Sequence, residues 1–149
     1  MKKWILICIL LIAVSVIITG CDYLGKNKLE FSSNGILLMY SWKPAGETTV
    51  DNMYDRITKI YNDGKVDVFH DDQFIRSFDI NSSNIKKLQD KIVEVKFMEL
   101  EEDIDTNTYD GSYHYITVYT ETATHTSGGL NPDNSKFKKL KDIIEDIVQ

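Results

Sequence analysis

The sequence predicts an α+β domain: a single antiparallel sheet of about four to six strands, opening with a meander, and two helices packed on one face. Three observations carry this. Short β-branched and aromatic runs joined by tight turns fill residues 36–80, an apolar stripe of helical period follows at 85–95, and a second such stripe closes the chain at 137–147.

The elements follow in order. Ile36–Trp42 is apolar except for Ser41 and enters from the polar Ser32–Gly35, so it reads as a strand. Lys43–Asn52, with Pro44, Gly46 and paired threonines, reads as loop or irregular edge. Tyr54–Tyr61, Lys65–His70 and Phe74–Ile80 read as a three-strand meander. Its turns are Asn62-Asp63-Gly64, the strongest turn signal in the chain, and Asp71-Asp72. After Ile80 the period changes. Ile85, Leu88, Ile92 and Val95 form one stripe, with Ser82 or Ser83 as the cap and an end near Lys96 or Phe97. The acidic stretch 98–111 reads as a loop or a short edge strand plus turn.

Ser112–Thr120 is the richest strand candidate. Tyr113, Tyr115, Thr117 and Tyr119 share one parity and His114, Ile116, Val118 and Thr120 the other, so a central strand is expected, with helices on one face and aromatics on the other. Glu121–Ser127 either extends that strand or returns beside it, and Gly128-Gly129 is expected to break it. Asn131-Pro132 or Asn134 is placed to cap the last helix, whose stripe is Phe137, Leu140, Ile143, Ile144 and Ile147.

The first twenty residues belong to a different kind of segment. Lys2 and Lys3 precede an apolar run from Trp4 to Ile18, shorter than the roughly 20 residues a permanent spanning helix needs. The run ends on Ile18-Thr19-Gly20-Cys21. These four residues resemble the lipobox of bacterial lipoproteins, and with the tether and the compact α+β body the chain resembles the small lipoproteins of Gram-positive bacteria. The resemblance implies that residues 1–20 are a cleaved signal peptide and that Cys21 becomes the lipid-carrying N-terminus. It further implies a product held at the outer face of the cell membrane by its acyl chains, two or more being required for a stable anchor. Residues 21–30 are then a short tether and 31–149 one domain. The resemblance carries an address; no catalytic or binding residues come with it.

Composition narrows the chemistry. With Cys8 in the signal and Cys21 lipidated, the exported domain holds no thiol, which excludes disulfides, thiol nucleophiles and cysteine-ligated metals. The full chain carries a formal charge of −6, and losing Lys2 and Lys3 takes it to about −8. Nucleic acid and anionic polymers would meet net repulsion. The Lys136, Lys138, Lys139 and Lys141 cluster fits the solvated face of a helix.

Four constellations invite chemistry. Asp103, Asp105 and Asn107 have the spacing that opens a calcium loop, but Thr108 stands where that pattern needs glycine and His114 where it needs glutamate, so Ca2+ is a weak expectation and no cofactor is required. His114 and His125, with nearby carboxylates, would serve a metal-dependent hydrolase only if the fold brought them together. Hydroxyl residues lack a glycine-flanked nucleophile elbow. Finally, Tyr113, Tyr115 and Tyr119, with Gly128, Gly129 and Asn131 in the following loop, offer an aromatic surface and exposed amides suited to a protein or glycan at the cell surface. The expected role is therefore a membrane-anchored, extracytoplasmic interaction or accessory module without catalysis. The alternatives are a hydrolase using His114 and His125, or a calcium or small-ligand sensor.

Overall fold

The computed structural model describes residues 29–32, 35–46, 54–106 and 108–149. The expected signal peptide, Cys21, most of the tether and Asn107 lie outside the described residues. Among the described residues no helix is long and apolar enough to cross a membrane.

Among the described residues six strands form one antiparallel sheet: β1 (Ile36–Pro44), β2 (Arg56–Tyr61), β3 (Lys65–His70), β4 (Gln73–Asp79), β5 (Ser112–Tyr119) and β6 (Thr124–Leu130), in the spatial order β4-β3-β2-β1-β5-β6. Two helices, α1 (Ser82–Glu94) and α2 (Ser135–Val148), complete the α+β fold. A long connection runs from α1 back to the middle of the sheet, where β5 docks beside β1.

The register sorts side chains by face. Leu38 stands opposite Ile60 and Val118, and Tyr40 opposite Thr58 and Ile116, so these residues share one side. That side meets Ile85, Leu88 and Ile92 of α1 and Phe137, Leu140 and Ile144 of α2, all buried, in one core cluster. The other side carries Ser41, Lys43, Ile57, Lys59, Phe69, Tyr113, Tyr115 and Tyr119, and neither helix covers it.

Turn chemistry agrees with the local sequence. Asp71 and Asp72, with φ of 46° and 64°, make the two-residue turn joining His70 to Gln73, the left-handed pair that fits strand twist. At Gly64 (φ 98°) a Cβ would lie 2.6 Å from the Ile80 carbonyl oxygen, so only glycine serves this close approach.

Two readings of the sequence are refined. Asn81, one residue before the expected serines, caps α1: its Oδ1 accepts from Asn84 N at 2.9 Å, and Ser83 Oγ donates to the same oxygen. For α2, Asn134 is the cap, accepting from Lys136 N and Phe137 N.

One reading is corrected. Gly128-Gly129 does not end the strand; β6 returns beside β5 as a hairpin and runs through both glycines to Leu130. Their backbone, at φ 159° and 151°, stays paired on both sides. The acidic stretch supplies the second side: Gly128 N donates to Glu102 O at 3.1 Å, Ile104 N to Gly128 O at 2.9 Å and Thr106 N to Leu130 O at 3.0 Å. A short parallel segment thus covers an edge that would otherwise be open to pairing with another chain.

Candidate functional site

Two clefts flank the end of the sheet where β1, β2 and β5 meet, one on each face. The first lies on the helix-free face and encloses about 490 Å³. Ser41 and Lys43 of β1, Ile57 of β2 and Tyr113 and Tyr115 of β5 line it from one parity set, and Asp55, Asp71 and Asp72 close its acidic rim. The Tyr113 and Tyr115 rings are parallel within 4°, their centroids 6.4 Å apart, because residues two apart on a strand project to the same side. Tyr115 remains 37% exposed. Both rings therefore present apolar surface and a hydroxyl to the same concavity, the combination favoured where contacts are half apolar and half wet.

The rim groups are paired with one another. Lys43 Nζ pairs with Asp55 Oδ2 at 3.3 Å, while Asp71 Oδ1 accepts from Asp55 N and Asp71 N donates to Asp55 O. Behind it Arg56 lies 6.0 Å from the Trp42 ring centroid and 5.7 Å from that of Tyr54. The tyrosine pair thus shares its concavity with Lys43 and with the carboxylates of Asp55, Asp71 and Asp72, across a short apolar floor at Ile57.

The second cleft, about 380 Å³, lies on the helix side between α2 on one side and Thr106 and Thr108 on the other. His114, Asn131, Asp133, Lys138 and Lys141 line it with Thr106 and Thr108. His114 lies within a connected chain of side chains. Its Nε2 is 3.0 Å from Ser112 Oγ and its Nδ1 2.8 Å from the Tyr40 hydroxyl, which donates to Glu145 Oε1 at 2.7 Å. Lys141 Nζ holds the other oxygen of Glu145 at 2.8 Å. Burial, then Lys141, lowers the His114 pKa below the ordinary imidazole value. Burial pushes the Glu145 carboxyl up, but hydrogen bonds from Lys141 and Tyr40 outweigh it and leave the pKa below the usual carboxylate range. Tyr40 is raised far above a free phenol by burial and by its bond to Glu145. At neutral pH the chain consists of an ionised Glu145, a protonated Tyr40 and a neutral His114.

The residues singled out from the sequence divide among these places. Tyr113 and Tyr115 meet at the first cleft. Tyr119 shares their face but lies farther along β5, opposite Thr124, and lines neither cleft. Gly128 and Gly129 are buried strand residues rather than exposed loop amides. Asn131 belongs to the second cleft, where its side chain braces the β5 entrance: Oδ1 accepts from Ser112 N, and Nδ2 donates to Thr108 Oγ1 and Asp110 O. The tyrosines and Asn131 are therefore not one shared site.

His114 and His125 are not brought together either. His125 stands opposite Val118, four residues along β5 from His114, with its Nε2 3.0 Å from Leu100 O and its ring edge-on to Phe97. Asp103 Oδ1 accepts from Asp105 N within the edge segment, and Asp105 Oδ1 accepts from Leu130 N, tying that segment to β6. Among the described residues no group of three or more His, Cys, Asp or Glu side chains is arranged to hold a metal ion.

No protein-family model matches this chain, and no curated protein is significantly similar to it. The geometry therefore stands as its own guide. Sequence reasoning missed the Ser112–His114–Tyr40–Glu145 chain because its members lie 74 and 105 positions apart across two of its links. Only the two-residue spacing of Ser112 and His114 on one strand parity was visible beforehand.

Proposed function

We propose that this chain is a membrane-anchored extracytoplasmic binding module, tethered through lipidated Cys21, that holds a protein or glycan partner against Tyr113 and Tyr115 on the helix-free face of its sheet. The observation that carries the reading is the first cleft: a concavity of about 490 Å³ whose wall is a parallel pair of tyrosines, with Lys43 and Asp55 paired at its rim. A preset aromatic surface gives contact area at small cost in side-chain entropy. The lipobox-like Ile18-Thr19-Gly20-Cys21 supports the placement outside the cytoplasm.

A photo-cross-linking residue installed at Tyr115 in living cells tests this. It is expected to yield a discrete adduct, while the same residue at Val93, exposed on α1, yields none. Equal adduct patterns from the two positions would refute the reading. For the anchor, Cys21→Ser is expected to shift the protein out of the membrane fraction; an unchanged distribution would contradict it.

A further inference from the structure

The two edges of the sheet are finished differently. On β6 the segment through Glu102, Ile104 and Thr106 pairs with the outer side of the strand. β4 is the opposite edge, and among the described residues no strand pairs with its outer side. Six of its seven residues are exposed, Phe78 being the exception. Alternate backbone N–H and C=O groups of such a strand point away from the sheet and can template another chain. Two large apolar side chains accompany them. Phe74 is 59% exposed and Ile75 49%, and a bulge between Phe74 and Arg76 leaves Ile75 with no residue opposite on β3. Phe74 stands opposite Phe69, and Phe69 opposite Ile57, so it projects from the helix-free face, its ring edge-on to Phe69 with centroids 5.8 Å apart. A charge often guards an open edge, but Arg76 is engaged elsewhere: its guanidinium donates to Val148 O at 3.2 Å, at the end of α2, and lies 5.0 Å from the Phe78 ring centroid.

We propose that the outer edge of β4 takes an extended segment of another protein as a seventh strand, a segment apolar in its middle and basic at its ends. Strand addition of this kind draws affinity from main-chain hydrogen bonds and specificity from alternate side chains. Phe74 and Ile75 supply the apolar contact. The charge at the ends follows from Asp72, just before β4, and Asp79, its last residue. Both are exposed, and neither joins an ion pair among the described residues. Opposite charges set across from each other on neighbouring strands stabilise the pairing, and like charges oppose it. A second copy fits the edge poorly for the same reason. Two identical edge strands pair antiparallel about a two-fold axis, and full overlap of the seven residues sets Arg76 opposite the same residue of the copy. Each copy also carries a formal charge of −6. Asp72 belongs as well to the rim of the tyrosine cleft, but the strand site does not depend on what that cleft holds.

The test follows backbone hydrogen exchange in the purified full chain with two capped peptides of alternating valine and threonine, one with lysine at both ends and the other with glutamate. The lysine-ended peptide should slow exchange in Gln73–Asp79 several-fold, with a Kd below about 1 mM. The glutamate-ended peptide should bind about 10-fold more weakly. Ile75→Lys sets a cation on the edge and should abolish the protection; the side chain is half exposed, so an unchanged thermal midpoint is expected alongside. Asp79→Lys should reverse the preference between the two peptides, a result that loss of fold cannot give. Unchanged exchange in Gln73–Asp79 at about 1 mM peptide, or equal slowing by both peptides, would overturn the proposal. So would a dimer of the chain alone that Ile75→Lys dissolves, since the edge would then belong to a second copy.

Discussion

Gly128 of β6 lies so close beneath Tyr115 of β5 that a Cβ on the glycine would sit 2.7 Å from both Tyr115 Cα and Tyr115 Cδ1. It would also run into the His114 carbonyl oxygen. The neighbouring Gly129 has the same office toward the edge segment, where a Cβ would meet Asp105 N at 2.9 Å. An exposed ring packed over a strand glycine compensates for the side chain that the glycine lacks. Gly128→Ala is therefore expected to cost about 2–3 kcal/mol, from overpacking together with strained backbone. Urea unfolding measures it; a change below about 0.5 kcal/mol would show that the ring and backbone relax freely.

The same contact predicts what Tyr115→Ala does. The ring is partly exposed and lies on the helix-free face, so its loss should destabilise the fold by only about 1 kcal/mol. Partner capture at the first cleft should be abolished. A variant that unfolds outright would mark Tyr115 as a brace of the sheet instead of a contact residue.

Much of this fold was legible in the sequence, and the part that was not has a common cause. Alternation and turn residues located β1 to β5, and the stripes at Ile85–Val95 and Phe137–Ile147 located both helices, because those signals are local. The pair Gly128-Gly129 was read as a break since glycine weakens a lone strand; here Tyr115 on one side and Asp105 on the other require it. Nothing near residue 128 announces partners at 105 and 115. Likewise Asp103 and Asp105 look like ion ligands in sequence, whereas their carboxylates meet backbone amides. At the candidate sites the Tyr113–Tyr115 pairing followed from strand parity. The Tyr40–His114–Glu145 contacts required the docking of α2 on the sheet, which periodicity alone does not specify.

Tyr40→Phe tests the energetic weight of that docking. It removes one hydroxyl that joins β1, β5 and α2, leaving Glu145 Oε1 and His114 Nδ1 without this partner. Bonds to a charged group are worth about 1.5–3 kcal/mol, so a loss of about 2 kcal/mol is expected in chemical denaturation. An unchanged midpoint would mean that water replaces the hydroxyl at no cost.

Asp67 sets an acid limit on stability. It is buried on β3; burial raises its pKa, but Ser77, Lys65 and Tyr61 together outweigh this and hold the carboxyl below its usual value. Lys65 Nζ lies 3.0 Å from Oδ2. A folded-state pKa below the unfolded value of about 3.9 means that the carboxylate stabilises the fold above that value, and that this contribution is lost as pH falls through the folded pKa. Unfolding midpoints measured from pH 6 to 2 should drop below about pH 4, and Asp67→Asn should flatten part of the drop. Parallel profiles for the two proteins would assign the acid sensitivity elsewhere.

The central claim, that the tyrosine cleft is occupied where the protein works, is tested most directly by nitrating tyrosines on intact cells and on the purified full chain and comparing the yields at each position. Tyr109 is fully exposed and serves as the internal reference. The account predicts that Tyr113 and Tyr115 react in the purified protein but are protected several-fold on cells, while Tyr109 reacts equally in both. Equal modification of Tyr115 in the two settings would contradict it.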